Sequence, residues 1–436
     1  MTPRGVRVTR QSPSEPFERS PTRSSVDPAE QTYRGLDVLR GAGIFAVLLM
    51  HTAFYHFDGA WEIDFAQPPV VITVIGFLLM FAGLFAMISG FAHMARASHR
   101  LARGERPARV VLSRAVAGLF VLAVAYAYFV FTGPGLVHFE SRSFDNSVLV
   151  ELIQTGRFPG FSRERLLYVD SLVMIGSNAI VVGLFLGLVW GLRNDVHPQL
   201  ALGSAAGVLA LSLVRIPLYE LYLNAMDRGD RLVVLGLNWL VNKNNPLLPY
   251  LAFGLFGVWL GLRFTRGGAR AIRTTVCLGT SFLVGGLALY VLLPDTMLQR
   301  AIDLQWYAIM VLQVGLFLLL LVLAVWVFDL RACADRRPGI LTRFFLRLGT
   351  VSLSVYFAES VVSAAVFRLV RLAWPTLYLG AGPALLAGLL FAVGWGLFLV
   401  LWERTGYRYS LERLYCRVMA GVGGSAKLAK LRAPLR

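Results

Sequence analysis

The chain has 436 residues, 56% of them hydrophobic and only 15% charged, with a mean hydropathy of +0.63, an apolar content that excludes an ordinary water-soluble domain. A net charge of +17 would point to nucleic acid in a soluble protein, but here the charge must be located before it is interpreted. Of the 42 basic residues only Lys243, Lys427 and Lys430 are lysine, a bias read as the codon usage of a GC-rich bacterium.

Residues 1–35 carry Arg4, Arg7, Arg10, Arg19 and Arg23 among Ser and Pro and lack the apolar run of a secretory signal. They read as a disordered basic tail. Ten apolar stretches follow, near residues 36–56, 69–92, 110–131, 168–192, 200–218, 247–262, 274–293, 305–328, 348–369 and 380–402, each close to the length that crosses about 30 Å of hydrocarbon. They predict an all-α integral membrane protein, a polytopic bundle of about ten transmembrane helices over residues 36–403, with a basic tail over 404–436.

The connecting segments sort by charge. The N-terminal tail, Arg96 to Arg109, the turn at Arg193, Arg263 to Arg273, Arg331 to Arg347 and the C-terminal tail are basic. The segments between them carry Asp58, Glu62, Asp64, Glu140, Asp145, Glu151, Glu164, Glu220, Asp227, Asp230, Asp295 and Asp303 with fewer cations. Because Arg and Lys stay on the cytoplasmic side, this alternation predicts both termini in the cytoplasm of a bacterial plasma membrane. The charge is then a topology signal and no nucleic acid partner is expected. Two outward segments, 132–167 and 219–246, are long, and long loops tend to carry function. Cys277, Cys333 and Cys416 are widely spaced and form no CxxC or Cys/His pattern, so neither a disulfide framework nor a metal site is predicted.

Ionisable groups at membrane depth are costly unless they face a polar cavity or a partner. Asp37, Arg40, His51, His56, Arg114, Asp170, Arg215 and Glu359 fall there. His51 follows Arg40 by three helical turns, so the two share one face of the first helix at opposite depths. With Asp58, Glu62 and Asp64 in the next loop, His51 is a candidate general base whose charge a carboxylate stabilises; a histidine satisfied at the membrane interface is the bland alternative, and a solvated acidic loop that for the carboxylates. His56 lies closer to the surface and is the weaker candidate. Arg96 to Arg109, continued by Arg114 inside the membrane, suits the phosphates of a polyanionic donor such as coenzyme A, although orientation and anionic lipid explain most of that loop. Arg114 requires a buried partner, either a donor phosphate or one of Asp37, Asp170 and Glu359. Residues 238–261 open with a polar run and two prolines that start a helix, whose glycines favour close helix packing.

The run Arg-Gly-Leu-Asp-Val-Leu-Arg-Gly at 34–41, followed by an apolar stretch ending in His51, resembles the first-helix signature of membrane acyltransferases, with Asp37, Arg40, Gly41 and His51 in matching type and spacing. His56-Phe-Asp58, Ile63-Asp64-Phe65 and Leu84 to Gly90 are similar to the heparan-alpha-glucosaminide N-acetyltransferase-like branch of that superfamily. Asn245-Pro-Leu-Leu-Pro-Tyr with Gly257 and Gly261, and Leu348 to Tyr356, extend the likeness across most of the membrane domain. The chain departs from the pattern at Glu359, where the family's late motif continues to a histidine. The resemblance implies an enzyme that takes an acyl group, commonly acetyl, from coenzyme A on the cytoplasmic side and delivers it to a sugar or glycan hydroxyl or amine outside. His51 would be the base or transient acyl carrier, and Arg40 and Arg114 donor-side or structural charges; with Asp58 and Asp64 taken as the carboxylates beside His51 and Arg109 as a further donor-side charge, membrane lipid, acyl-CoA and a glycan acceptor would be its partners. The competing expectation is a transporter or flippase for a lipid-linked or small anionic solute, because intramembrane Arg, Asp and Glu also mark permeation paths.

Overall fold

Apolar segments in hydrocarbon must satisfy every backbone N–H and C=O within themselves, which only helices and closed barrels achieve. The computed structural model describes residues 33–63, 76, 81–138, 141–160, 165, 167–294, 302–331 and 337–422, and they are overwhelmingly helical. The long helices are α1 (Arg34–Tyr55), α2 (Ala82–Ala102) and α3 (Pro107–Ala127), the last continued by a π-helical turn at Tyr128–Thr132. A short hairpin of β1 (Leu136–His138) and β2 (Ser143–Asp145) and a two-turn helix α4 (Val148–Thr155) precede α5 (Ser171–Arg193). Helices α6 (Pro198–Leu211) and α7 (Arg215–Asp227) run on through a 3₁₀ turn and fold back into α8 (Arg231–Val241). Then come α9 (Leu247–Arg266), α10 (Gly268–Leu292), α11 (Leu304–Val325), α12 (Ile340–Thr350), α13 (Ser352–Ala373), α14 (Ala381–Arg404) and α15 (Leu411–Gly421).

Among the described residues nine helical segments are long and apolar enough to cross a membrane. They coincide with nine of the ten stretches expected from sequence. The first half of the remaining stretch, 69–92, falls almost wholly outside the described residues, and its second half enters α2. Four boundaries differ from the expectation. The basic segment after the second span is partly helix, since α2 runs to Ala102 and takes in Arg96 and Arg100. The fifth span extends to Asp227, and the long segment after it is a helical hairpin. Residues 340–347, read as loop, join the start of the expected ninth span in α12, and residues 411–421, read as tail, form α15, each helix with apolar side chains along one face.

Glycines set the tightest crossings. A Cβ at Gly41 would overlap the carbonyl of Phe345, and one at Gly349 the carbonyl of Asp37, so α1 and α12 touch backbone to backbone. Gly90 and Gly257 do the same for α2 against α9. The first turn of α1 is closed from outside its own sequence: Asp329 accepts the amides of Arg34 at 2.6 Å and Gly35 at 2.9 Å, the placement that a helix N-terminus favours for a carboxylate. Arg215, fully buried, caps the end of α8 by donating to the carbonyls of Val241, Asn242 and Lys243, and lies 4.2 Å from the centre of the Trp306 ring. A guanidinium there fixes the hairpin instead of marking a path.

Candidate active site

Four helices converge on one polar cluster. On α13 the residues Tyr356, Glu359, Ser360 and Ser363 follow the i, i+3, i+4, i+7 spacing that lines up one helix face. On α1, His51, Thr52 and Tyr55 face them. The π turn that ends α3 inserts an extra residue into the last turn, and Tyr128 in that turn reaches Glu359. Asp170 is the N-cap of α5, its Oδ1 accepting the Leu172 amide at 2.6 Å.

Within this frame His51 Nδ1 lies 2.8 Å from Glu359 Oε1. The Tyr128 hydroxyl donates to the same oxygen at 3.3 Å and the Ser360 hydroxyl at 2.9 Å. The Tyr356 hydroxyl donates to Asp170 Oδ2 at 2.9 Å. Glu359 is 1% exposed against 19% for the His51 side chain, so the imidazole can be reached and the carboxylate behind it is shielded. Glu359 Oε2 has no hydrogen-bond partner among the described residues, a costly state for a buried carboxylate oxygen.

A cleft opens over this pair, walled by His51, Thr52 and Tyr55 of α1, Glu359, Ser360 and Ser363 of α13, His56, and a cap made of Gly135, Phe144, Asn146 and Gln154. One buried arginine builds the cap. Arg165 donates to the carbonyls of Phe129 at 2.6 Å, Pro134 at 3.1 Å and Asp145, and pairs with the Asp145 carboxylate at 3.4 Å. Burial draws its guanidinium below the ordinary arginine value, and Asp145 offsets part of that shift. Tyr55, Phe144 and Trp61 form an aromatic row along the cap, with ring centres 5.5 and 4.8 Å apart.

The expected site residues separate into three groups. His51, Asp170 and Glu359 come together. His56 shares their cleft and is buried within the bundle: it is 7% exposed, stacked on Phe367 at 3.6 Å and 3.0 Å from the Ser363 hydroxyl. Of the acidic loop, the described carboxylates Asp58 and Glu62 do not pair with His51. Asp58 is held by Arg371 at 2.8 Å and by the Leu379 amide at 2.8 Å, because the segment after α13 folds over it. Glu62 is exposed, and Asp64 lies outside the described residues. The carboxylate that serves the imidazole comes instead from 308 residues away in the chain.

The third group sits at the other end of α1, about 16 Å along the helix from His51. Arg40 pairs with Asp37 at 3.1 Å. Arg114 is buried, but its partner is none of the three carboxylates expected: it lies 2.5 Å from His93 Nδ1, to which Arg96 also points at 3.3 Å. Helix α2 approaches α3 there, while Glu359 and Asp170 stay at the far end of the bundle. Arg100 is spent on a bidentate pair with Glu105 and a 2.6 Å bond to Ser113, which tighten the α2–α3 turn; the bonds from Arg100 lower the Glu105 carboxyl below its ordinary value. Arg109 is exposed in the first turn of α3. Sequence reading missed Tyr128, Ser360, Ser363, Arg165 and His93. A polar stripe around Glu359 at helical spacing could have signalled two of these; the rest depend on tertiary folding.

The helices and the charged groups enclosed among them define a polytopic α-helical integral membrane protein. No protein-family model matches the chain, and no curated protein matches it.

Proposed function

We propose that the chain is a membrane-embedded acyltransferase, moving an acyl group from a cytoplasmic coenzyme A thioester to a sugar or glycan acceptor at the outer side of a bacterial plasma membrane. The observation that carries this reading is the His51–Glu359 pair, 2.8 Å apart in the wall of a cleft. A carboxylate that accepts from Nδ1–H fixes the tautomer, leaves Nε2 basic and stabilises the imidazolium that forms. The acceptor's hydroxyl or amine would lose its proton to Nε2 while its oxygen or nitrogen attacks the thioester carbon. The C–S bond then breaks, and the leaving thiolate takes up the proton that Nε2 received from the acceptor, which returns His51 to its starting form. Glu359 takes the place of the histidine in the resembling family, and as the partner of His51 it supplies charge where a second imidazole would supply none.

Arg40, Arg114 and exposed Arg109 lie at the opposite end, where the alternation of basic segments puts the cytoplasm. Their separation from His51 suits a donor with phosphates at one end and a thioester at the tip of an extended arm. The decisive experiment is purified protein in nanodiscs with acetyl-CoA and a panel of amino and hydroxyl sugars. Release of free coenzyme A that depends on both acceptor and His51 supports transfer. Acceptor movement across the membrane without thioester cleavage would instead make it a transporter.

A further inference from the structure

The cap over the cleft carries polar groups that the transfer chemistry leaves unused. Asn146 sits just before α4, and Glu151 and Gln154 lie one turn apart on that helix. The Asn146 Nδ2 donates to Glu151 Oε2 at 2.8 Å and to Gln154 Oε1 at 3.1 Å. An ionised carboxylate only accepts, so Glu151 decides which end of the Asn146 amide faces it, and the second Asn146 proton decides the Gln154 amide in turn. Asn146 Oδ1 and the Gln154 Nε2 hydrogens are left over, without a partner among the described residues. Both residues line the cleft. The approach to the oxygen is kept open by Gly135, where a Cβ would lie 2.7 Å from Asn146 Oδ1. Asn146 is also held on both sides: the Asp145 carbonyl accepts from Arg165, and the Ser147 hydroxyl donates to the Gly133 carbonyl at 2.6 Å. Tyr55 and Phe144 wall the same cleft, and Trp61 continues their row beyond its lining.

We propose that this part of the cap is a second sugar subsite, so that the acceptor is an oligosaccharide or glycan chain engaged through two rings. The first ring meets His51, and the next lies along Tyr55, Phe144 and Trp61 with its edge against the amides of Asn146 and Gln154. The chemistry selects a saccharide. A pyranose has an apolar C–H face that packs on aromatic rings, and hydroxyls around its edge that each donate one bond and accept others. One amide oxygen and one amide NH2 presented together match those hydroxyls. A lipid chain would strand both amides without partners, and an anionic group would meet the Glu151 carboxylate beside them. Because the amides are oriented before the ligand arrives, little ordering is left for binding to supply. Contacts to the second ring, remote from the reacting atoms, then help to hold the first one at His51.

The inference rests on the transferase reading for the nature of the acceptor, but its test needs neither donor nor catalysis. Full-length protein in lipid nanodiscs is titrated by calorimetry with glucose, N-acetylglucosamine and their β-1,4-linked disaccharides, cellobiose and chitobiose. At least one disaccharide should bind about tenfold more tightly than its monosaccharide. Q154L removes the amide donor at similar size, and W61A removes the end of the aromatic row. Each should weaken the disaccharide by about 3- to 10-fold, the scale of one lost hydrogen bond or ring contact, and leave the monosaccharide unchanged. Equal affinity for one ring and two in the wild-type protein overturns the subsite, as does a Q154L protein that keeps the disaccharide affinity or loses both sugars alike. Q154L lies in the last turn of α4 and decides the question if W61A fails to insert. A disaccharide preference without thioester cleavage would sink the transferase and keep the subsite; thioester cleavage that uses one ring and two equally well would do the reverse.

Discussion

Glu412 and Ser354 hold each other across 58 residues: the Glu412 carboxylate accepts both the Ser354 hydroxyl and the Ser354 amide at 3.1 Å, and takes the Leu353 amide at 2.7 Å as well. The acid on α15 thereby caps the helix that carries Glu359. Replacement by Ala leaves buried donors unsatisfied at the positive end of α13, and E412A should lower stability by about 1 to 3 kcal/mol, measured by thermal unfolding in detergent.

The same group carries a pH signature. Burial raises the Glu412 carboxyl above its ordinary value, against the pull of its hydrogen bonds. An acid raised on folding favours the folded state while protonated, so its contribution is full below the unfolded value near 4.3 and is lost as pH rises through the raised folded value. E412Q, neutral at every pH, should flatten that part of the curve of melting temperature against pH. An identical curve for E412Q would show that Glu412 does not titrate in this range.

His51 and His56 should part company in function. H51A removes the proposed base and should lower the proposed acyl transfer by about 10² to 10⁴ with the protein still inserted and its melting temperature little changed. E359Q should fall between wild type and H51A, since the imidazole stays but loses its counter-charge. H56A empties a stacked, hydrogen-bonded position and should cost about 1 to 3 kcal/mol of stability. An enzyme that keeps its rate without His51 and loses it without His56 would exchange the two roles.

Arg114 should matter for both folding and donor. R114M deletes a charged donor to His93 Nδ1 and should cost about 1.5 to 3 kcal/mol, softened by Arg96, which still points at the same nitrogen. Coenzyme A affinity by calorimetry should fall as well, with a weaker dependence on salt. Wild-type affinity in a variant that has lost stability would confine Arg114 to a packing role.

A reporter inserted near Arg103 or fused after Arg436 should mark the cytoplasm, and one near Asp145 the outside. A cytoplasmic signal at Asp145 would reverse the bundle and with it the assignment of donor and acceptor sides.

How much of this was legible in the sequence differs between levels. Spans were legible because hydrocarbon imposes length and apolarity on a segment regardless of its neighbours. Individual polar residues at depth, His51, Arg114, Asp170 and Glu359, stood out for the same reason. Their pairing did not. Spacing along α1 pointed His51 to Asp58, seven residues on, whereas the chain turns there so that Asp58 faces Arg371 and Leu379. The true partner lies on α13, and which helix faces α1 is decided by tertiary contacts such as Gly41 against Phe345 and Gly349 against Asp37. His93 was hidden for a different reason: as a single histidine next to a run of arginines it looks like part of a basic loop, and only the continuation of α2 to Ala102 turns it inward against Arg114.

Arg165 has a consequence for what can enter the cleft. Its guanidinium ties the end of α3, the Gly133–Gly135 bend and β2 to a single point, so these pieces are coupled like stones leaning on one wedge. An acceptor cannot enlarge the mouth by pushing one of them aside; it must fit the opening as built or displace the whole cap at the expense of every bond to that arginine. Selectivity by size would then reside in a residue that need not touch the acceptor, and loosening it should widen the range of molecules admitted before it alters the chemistry performed on any of them.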